Sequence, residues 1–175
     1  MKNIKIKDKE FELFIEAEKI ENSIDRVADR INVDLKDKNP LFIVVLNGAF
    51  MFAADLLKKI VIPCEITFVR LASYQGTEST ESIQEILGLT ESVENRTVVI
   101  VEDIIDTGNT LTTLIEELKK QHPREIKIAT LFLKPGALKY NLRPDYVAME
   151  LPSDFIVGYG LDYDGYGRNL TDIYK

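Results

Sequence analysis

Cysteine, histidine and tryptophan are almost absent from this chain of 175 residues, which has one cysteine, one histidine and no tryptophan. Cys64 has no second cysteine with which to form an intrachain disulfide. A zinc site needs several such ligands. His122 stands before Pro123 in a pattern typical of a helix end rather than of a catalytic base. Zinc sites and Cys–His nucleophilic chemistry are therefore excluded.

Long apolar runs and an excess of basic charge are also lacking. No run approaches the ~20 residues that a membrane-spanning helix needs, and residues 1–12 lack the apolar core of a signal peptide. The net charge of −7 and the pI near 4.9 disfavour a nucleic-acid or anionic membrane surface. We therefore expect a cytoplasmic protein without a nucleic-acid or membrane partner, folded as one domain over residues 1–175.

Apolar side chains recur at helix and strand spacings along the chain. Ile20, Ile24, Val27 and Ile31 fit one face of a helix within residues 16–35. Continuous apolar runs are typical of strands that are covered on both faces. Their alternation with helices predicts an α/β fold with a mainly parallel central sheet flanked by helices. Strands are predicted within residues 41–46, 64–74, 97–103, 125–134, 145–151 and 155–160, and further helices within residues 49–60 and 110–121.

The stretch "VVIVEDIIDTGNTL", residues 98–111, places three carboxylates where a predicted buried strand ends. Ligands of open α/β sheets bind beyond such strand ends. The small residues 106–110 turn the chain into a helix whose free amides and dipole favour a phosphate group. Carboxylates repel phosphate, so we expect Glu102 and Asp103 to accept hydrogen bonds from sugar hydroxyls or to hold Mg²⁺, and one acid to accept a substrate proton. The pattern indicates a sugar phosphate undergoing chemistry.

Other interpretations of this stretch explain less of it. A solvated strand end with Asp106 as a helix N-cap accounts for Asp106 but not for the acid pair. The Asp-Thr-Gly sequence also occurs in aspartic proteases, which need two such aspartates around a β-rich cleft. Receiver domains have strand-end acids but lack the small-residue turn. The chain has no P-loop motif, so a P-loop nucleotide site is excluded, and Gly158-Tyr159-Gly160 is not evidence for a dinucleotide site because it does not open a predicted helix.

The same stretch closely resembles the phosphoribosyl-diphosphate binding motif of type I phosphoribosyltransferases. The segments "VVLNGAFMFAADL", "LASYQGTEST", "LFLKPGAL", "RPDYVAMELPSDFIVGYGLDY" and "YGRNL" also come in the family's order. Together they resemble the 6-oxopurine branch, the hypoxanthine-guanine phosphoribosyltransferases. Asp106 is the discriminating residue, since adenine and orotate enzymes typically carry an uncharged residue there. The resemblance implies a small hood formed by the terminal segments, Mg²⁺ as cofactor, and a homodimer or homotetramer.

The resemblance also implies an activity and a first set of roles. The expected reaction is purine salvage, in which the phosphoribosyl group passes from phosphoribosyl diphosphate to N9 of hypoxanthine or guanine and gives IMP or GMP. Asp106 is the expected general base, and Glu102 and Asp103 face the ribose hydroxyls and their Mg²⁺. The expected phosphoribosyl-binding residues are Glu102, Asp103, Ile105, Asp106, Thr107, Gly108, Asn109 and Thr110.

A second set of roles concerns the purine and the diphosphate. By resemblance, Lys134 donates to the purine O6, Phe155 stacks on the ring, and the Ile156 backbone reads the pyrimidine edge. Asp162, counted with the purine-binding residues, also binds a second Mg²⁺ on the diphosphate. The family has an unusual cis peptide in its diphosphate loop. The expected residues of that loop, of the lid and of the diphosphate clamp are Asn47, Gly48, Ser73, Tyr74 and Arg168.

Two positions depart from many family members, and some alternatives stay open. Asn47 replaces a basic residue, and Asn109 replaces a lysine but can still donate from its amide. The long polar segment 75–85 is equally typical of a lid and of a surface hairpin tip. A xanthine-preferring enzyme and a regulator that senses phosphoribosyl diphosphate without turnover are the alternative functions.

Overall fold

The structure is a computed structural model that describes residues 3–74 and 83–175, with the side chains of 72–74 and 83–87 outside the description. Most of the segment predicted to be a lid or hairpin tip therefore lies outside the described residues. The strands are β1 (Asn3–Ile6), β2 (Lys9–Ile15), β3 (Leu41–Leu46), β4 (Glu65–Tyr74), β5 (Ile83–Leu87), β6 (Thr97–Ile105), β7 (Glu125–Leu133), β8 (Tyr146–Glu150) and β9 (Ile173–Tyr174). The helices are α1 (Ala17–Asp34), α2 (Phe50–Leu57) and α3 (Asn109–Lys119).

A six-stranded sheet in the order β5-β4-β3-β6-β7-β8 forms the centre of the molecule. Its last five strands are mutually parallel, which confirms the predicted mainly parallel sheet. The crossovers through α2 and α3 account for this, since parallel neighbours need a helix-length connection. Strand β5, which the sequence did not predict, pairs antiparallel with β4 at the edge.

Helices cover both faces of this sheet, and we call the sheet with its three helices the body. In β6, Val99 and Val101 pack in the cluster that contains the buried faces of α1 and α2. Val98 and Ile100 alternate with them and pack in the cluster under α3. A strand with apolar residues on both faces therefore carries the acids to the sheet edge. Within the described residues, no helix is long and apolar enough to span a membrane.

The two ends of the chain form a small antiparallel sheet, β1-β2-β9, which we call the hood. A two-residue turn at Lys7 and Asp8 joins β1 to β2, and Lys7 has a φ of 53°, as the tight turns of hairpins require. The hood also contacts the body, because Asp172 Oδ1 accepts a hydrogen bond from the Ala17 amide at 2.9 Å. This bond satisfies a free amide in the first turn of α1. The expected hood is thus present.

The strand predicted within residues 155–160 was wrong. Only isolated bridges occur there, from Val157 to Tyr174 and from Gly158 to Leu161. The physical reason lies in the backbone, because Gly158, Tyr159 and Gly160 have φ values of 112°, 47° and 97°. Three consecutive residues with positive φ cannot continue a strand. The segment is instead a folded loop within residues 151–172, which lead from β8 to β9 and which we count as part of the hood.

Candidate active site

Two buried acids end the apolar part of β6. Glu102 and Asp103 are 8% and 9% exposed. Burial, followed by the charge of Asp103, raises the pKa of Glu102 well above its usual value. Burial also raises the pKa of Asp103, although a hydrogen bond with Glu102 and the charge of Arg168 act in the opposite direction. A buried pair of acids is stabilised by a proton or by a cation, so this pair suits a divalent metal ion.

The turn after β6 leads into α3 through a glycine. Gly108 is the N-cap with a φ of 83°, and as a glycine it has no side chain that could cap the helix. A Cβ at residue 108 would also lie 2.5 Å from Leu142 Cδ1. Asp106 is therefore not the N-cap, and the first amides of α3 face an open hollow with an empty volume of about 340 Å³, lined by Glu102 and residues 104–111. Such a helix start attracts anions.

Side chains in this turn present hydroxyl and amide groups. Thr107 Oγ1 accepts a hydrogen bond from the Asn109 amide at 3.4 Å, and the Thr107 carbonyl accepts one from the Lys139 amide at 3.0 Å. The Tyr140 hydroxyl donates to Asn109 Oδ1 at 3.0 Å. This bond orients the Asn109 amide with its oxygen occupied, so its NH₂ group is the part that can donate to a ligand.

Lys134 and Asp106 form an ion pair at the mouth of the same hollow. The distance from Lys134 Nζ to Asp106 Oδ2 is 2.9 Å. Lys134 is buried, whereas the Asp106 side chain is 49% exposed. The pairing of β7 with β6 brings them together, and the Lys134 amide donates to the Ile105 carbonyl at 2.9 Å. A fixed donor and an accessible acceptor therefore lie side by side.

The loop after β3 lies against the acid pair. The Leu46–Asn47 peptide is cis, at the place where the resemblance implies one. A Cβ on Gly48 would lie 1.6 Å from Asp103 Oδ2, and a Cβ on Gly160 would lie 2.1 Å from the Gly48 carbonyl oxygen. Sequence reasoning expected Asp103 to share the hollow of Glu102, but the structure places Asp103 against this loop. No sequence signal linked Gly48 to Gly160.

Arg168 and Asp162 adjoin this loop from the hood side. Arg168 Nη1 donates to the Gly160 carbonyl at 2.6 Å, and its Nη2 lies 2.6 Å from Asp162 Oδ1. Asp162 Oδ2 also accepts a hydrogen bond from the Gly165 amide at 2.7 Å. The described residues contain no group of three or more side chains that could hold a metal ion. Mg²⁺ commonly takes only one or two carboxylates and completes its shell with water and substrate phosphates, so the acids fit such an ion.

The remaining predicted residues lie on two other segments. Phe155 is 57% exposed, whereas the Ile156 side chain is buried, so only the backbone of Ile156 is suited to a ligand. Ser73 and Tyr74 end β4 and pair with Gln84 and Ile83 of β5. Their side chains lie outside the described residues.

Comparison with known sequences finds relatives over most of the chain. The family model of the phosphoribosyl transferase domain matches residues 15–164. A hypoxanthine-guanine phosphoribosyltransferase of Staphylococcus epidermidis is 39% identical over 162 residues, which cover 92% of this chain and 90% of that protein. A hypoxanthine-guanine phosphoribosyltransferase of Mycobacterium tuberculosis is 36% identical, with coverage of 92% and 83%.

Comparison with solved structures gives the same result. A hypoxanthine phosphoribosyltransferase of Staphylococcus aureus matches with a TM-score of 0.83 at 36% identity, and the match covers 93% of this chain and 89% of that chain. A variant of the Trypanosoma cruzi hypoxanthine phosphoribosyltransferase in a ternary substrates complex has a TM-score of 0.84 at 35% identity, with 92% of both chains covered. The chain therefore belongs to the phosphoribosyltransferase family, in the branch of the hypoxanthine-guanine phosphoribosyltransferases.

Proposed function

We propose that this protein transfers the phosphoribosyl group of phosphoribosyl diphosphate to N9 of hypoxanthine, and of guanine, and so gives IMP or GMP and diphosphate in purine salvage. The observation that carries this proposal is the 2.9 Å pair of Lys134 Nζ and Asp106 Oδ2. A 6-oxopurine presents an acceptor, O6, next to a proton on N7. This edge complements a donor beside an acceptor, whereas the amino group of adenine would face Lys134 with a second donor.

Asp106 has the geometry of a general base. Its half-exposed carboxylate can reach a bound purine, and its neighbour Lys134 fixes its position. As N9 attacks C1 of the ribose, Asp106 takes the proton from N7. Lys134 donates to O6 and stabilises the negative charge that the ring would otherwise gain as it approaches the sugar.

The phosphoribosyl group occupies the hollow at the start of α3 in this proposal. The 5′-phosphate accepts hydrogen bonds from the backbone amides of residues 106–110 and from the hydroxyls of Thr107 and Thr110. Glu102 accepts hydrogen bonds from the ribose hydroxyls at the other end of the hollow. The lining of the hollow suits this group, since it combines the Glu102 carboxylate with the residues of the turn into α3.

The diphosphate and its Mg²⁺ belong on the side of the diphosphate loop. Glu102 and Asp103 would hold one ion and Asp162 a second, and the raised pKa values of the buried pair favour such a partner. Bound Mg²⁺ supplies positive charge to the departing diphosphate. Arg168 and the backbone at Asn47 and Gly48 bind the same group. Ser73 and Tyr74 begin the segment that we propose as the lid.

The proposal is tested by incubating the purified protein with phosphoribosyl diphosphate, Mg²⁺ and one base at a time: hypoxanthine, guanine, xanthine or adenine. We expect IMP and GMP, little turnover of adenine, and release of diphosphate in equal amount. Xanthine as the best substrate would instead establish the xanthine-preferring alternative. Binding of phosphoribosyl diphosphate without turnover of any base would establish a regulator and overturn the proposed reaction.

A variant tests the contact that carries the proposal. Lys134→Met keeps the length of a buried side chain and removes its donor. The ratio of kcat/KM for hypoxanthine over adenine should fall on the order of 10²-fold, because selection by hydrogen bonding to a buried partner is large. Lys119→Met, an exposed lysine at the far end of α3, is the matched control. An unchanged ratio in Lys134→Met would remove Lys134 from purine selection.

The proposal also includes self-association of the chain as a homodimer or a homotetramer. Ile66 and Phe68 of β4 are exposed and lie on the sheet face that α2 covers at β3, where their neighbours Phe42 and Val44 are buried. Contiguous apolar surface of this kind is typical of interfaces. A single sedimentation boundary at the mass of the monomer, measured at micromolar concentrations, would contradict the proposed self-association. The single domain over residues 1–175 and the cytoplasmic location stay predictions.

A further inference from the structure

Three aromatic rings of the hood contact one another, and we call Phe11, Phe155 and Tyr163 the hood aromatic cluster. The ring centroids of Phe155 and Tyr163 are 6.0 Å apart with planes at 84°, an edge-to-face contact. Phe11 lies 6.3 Å from Phe155 and 5.8 Å from Tyr163. Phe11 is buried in the core of the hood, whereas Phe155 is exposed. Two rings thus support a third that presents an open surface.

Tyr163 is itself fixed by the hairpin of β1 and β2. Its hydroxyl donates to Asp8 Oδ1 at 3.0 Å, in the turn between the two strands. Lys9 Nζ lies 4.7 Å from the centroid of the Tyr163 ring, a favourable cation–π distance. Lys7 in the same turn pairs with Asp164, the next residue along the chain. The N-terminal hairpin therefore holds the segment that carries Tyr163 from several sides.

We propose that Tyr163, anchored by Asp8 and Lys9, is a positioning residue that sets the orientation of the Phe155 ring and thereby the affinity for the purine. This inference rests on the proposed function and on the role that the family resemblance implies for Phe155, which is to stack on the purine ring. A ring that is already held in its stacking orientation loses less side-chain entropy when the ligand binds. The Tyr163 side chain contacts Phe11, Phe155, Lys9 and Asp8. The proposal places phosphoribosyl diphosphate on the phosphate-binding turn, the diphosphate loop, Asp162 and Arg168, so its affinity should depend on Tyr163 less than the purine affinity does.

Steady-state kinetics of Tyr163→Leu test the inference. Loss of the ring removes the edge-to-face contact, and KM for hypoxanthine should rise roughly two- to ten-fold, as expected for one aromatic pair. We expect KM for phosphoribosyl diphosphate and kcat to stay within about two-fold, since Tyr163 touches neither the phosphate turn nor Asp106. Tyr163→Phe keeps the ring and should restore most of the purine affinity. Tyr166→Leu is the matched control, because this tyrosine of the same turn contacts Lys7 but is not in the hood aromatic cluster, and it should leave all three constants within about two-fold.

A double-mutant cycle separates positioning from a general effect on the hood. If Tyr163 acts through Phe155, then Tyr163→Leu should add nothing to the KM for hypoxanthine in a Phe155→Ala background. A purely structural role would give the same fold-change in both backgrounds, and that result would overturn the inference.

The failure of the inference and the failure of the proposed function give different results. No turnover of any purine by the wild-type protein would overturn both. An active enzyme whose purine KM is unchanged in Phe155→Ala would remove Phe155 as the stacking residue and the inference with it. If KM for the purine rises in Phe155→Ala but not in Tyr163→Leu, the inference is overturned and the proposed function stands.

If thermal unfolding shows that Tyr163→Leu does not fold, a second variant tests the same inference. Asp8→Ala changes an exposed turn residue and leaves all three rings in place. Loss of its single hydrogen bond should raise KM for hypoxanthine about two-fold, and the effect should vanish in the Phe155→Ala background. An unchanged purine KM in Asp8→Ala would then overturn the inference.

Discussion

The body and the hood contribute to the candidate site in opposite ways. In the body, most of the site comes from one continuous stretch, residues 102–110, and Lys134 joins it from the neighbouring strand. In the hood, the Phe155 ring packs against Phe11 from the other end of the chain. Arg168 pairs with Asp162 and donates to the Gly160 carbonyl, and Gly160 in turn packs closely against Gly48 of the body. The body thus provides charges and backbone donors at a strand end, whereas the hood provides groups whose positions depend on tertiary contacts.

The body and the hood also differ in how their charged side chains are surrounded. The body buries Glu102 beside Asp103, and burial raises the pKa of both carboxyl groups. In the hood, the charged groups are exposed or paired, as Lys7 with Asp164 and Arg168 with Asp162. Substitutions of site residues in the body should therefore change the rate of the chemical step or the binding of the metal ion. Substitutions in the hood should change the affinity for the substrates and the stability of the fold.

Asp106→Asn should give the largest effect, because it removes the proposed base of the body. We expect kcat to fall roughly 10²- to 10⁴-fold, the usual contribution of general base catalysis. The dissociation constant of phosphoribosyl diphosphate, measured by calorimetry, should stay within about two-fold since the turn keeps its amides. Glu116→Gln on the exposed side of α3 is the control. Turnover near the wild-type rate would remove Asp106 from the role of base.

Gly48→Ala acts where the body and the hood meet. Its Cβ would lie 1.6 Å from Asp103 Oδ2, so the diphosphate loop or the acid must move. KM for phosphoribosyl diphosphate should rise roughly 10- to 100-fold, because displacements of about 1 Å at an active site have effects of this size. Gly136→Ala is the matched control, since nothing lies within 4 Å of a Cβ there. Equal KM values in the two variants would show that the loop accommodates the methyl group.

Glu102→Gln should stabilise the protein in the absence of Mg²⁺ and substrate. Above the raised pKa of Glu102, the folded and unfolded chains both carry the charge, but only the folded chain buries it beside Asp103. Removal of the charge should therefore raise Tm at pH 8, by roughly 2–4 °C if the cost is about 1 kcal/mol. The gain should shrink as pH falls through the raised pKa and vanish below about 4.3, where the unfolded chain is protonated too. A gain independent of pH would exclude the charge as its cause.

Asp172→Ala should have the smallest effect and should act on the connection between the hood and α1. The variant removes the acceptor of the Ala17 amide, a bond that resembles a helix cap, together with the weaker 3.3 Å hydrogen bond from the Tyr174 hydroxyl. Loss of such a cap costs about 1 kcal/mol, so we expect Tm to fall by roughly 2–4 °C with little change in kcat. Asp154→Ala, an exposed hood acid 3.5 Å from Lys175, is the control. Equal Tm values would show that the bond adds no stability.

The sequence predicted most of the body because its signals are local. The apolar spacing of α1 and the continuous run of β6 each determine one element, and parallel strands then bring their carboxyl ends to one edge. Glu102 and residues 106–110 could therefore be assigned to one site before any coordinates. Strand β2 was not predicted, although the apolar residues at its alternate positions, Phe11, Leu13 and Ile15, are typical of a half-buried strand.

Other features could not be read from local patterns. The ion pair of Lys134 with Asp106 depends on the register of β6 against β7, and the approach of Gly160 to Gly48 depends on how the hood folds onto the body. The predicted strand at 155–160 is absent because the apolar run from Phe155 to Val157 is followed by positive φ values at Gly158, Tyr159 and Gly160. Glycine tolerates that conformation without steric cost, so composition alone does not reveal it.

The pairing of β9 with β2 has a consequence for biosynthesis. Residues 173–174 leave the ribosome after every strand of the central sheet, although their partner β2 emerges near the beginning. A nascent chain can thus assemble the anion-binding turn while the third strand of the hood is still missing. Premature termination a few codons before Ile173 would remove that strand and yield a product with a complete central sheet and an unfinished purine side.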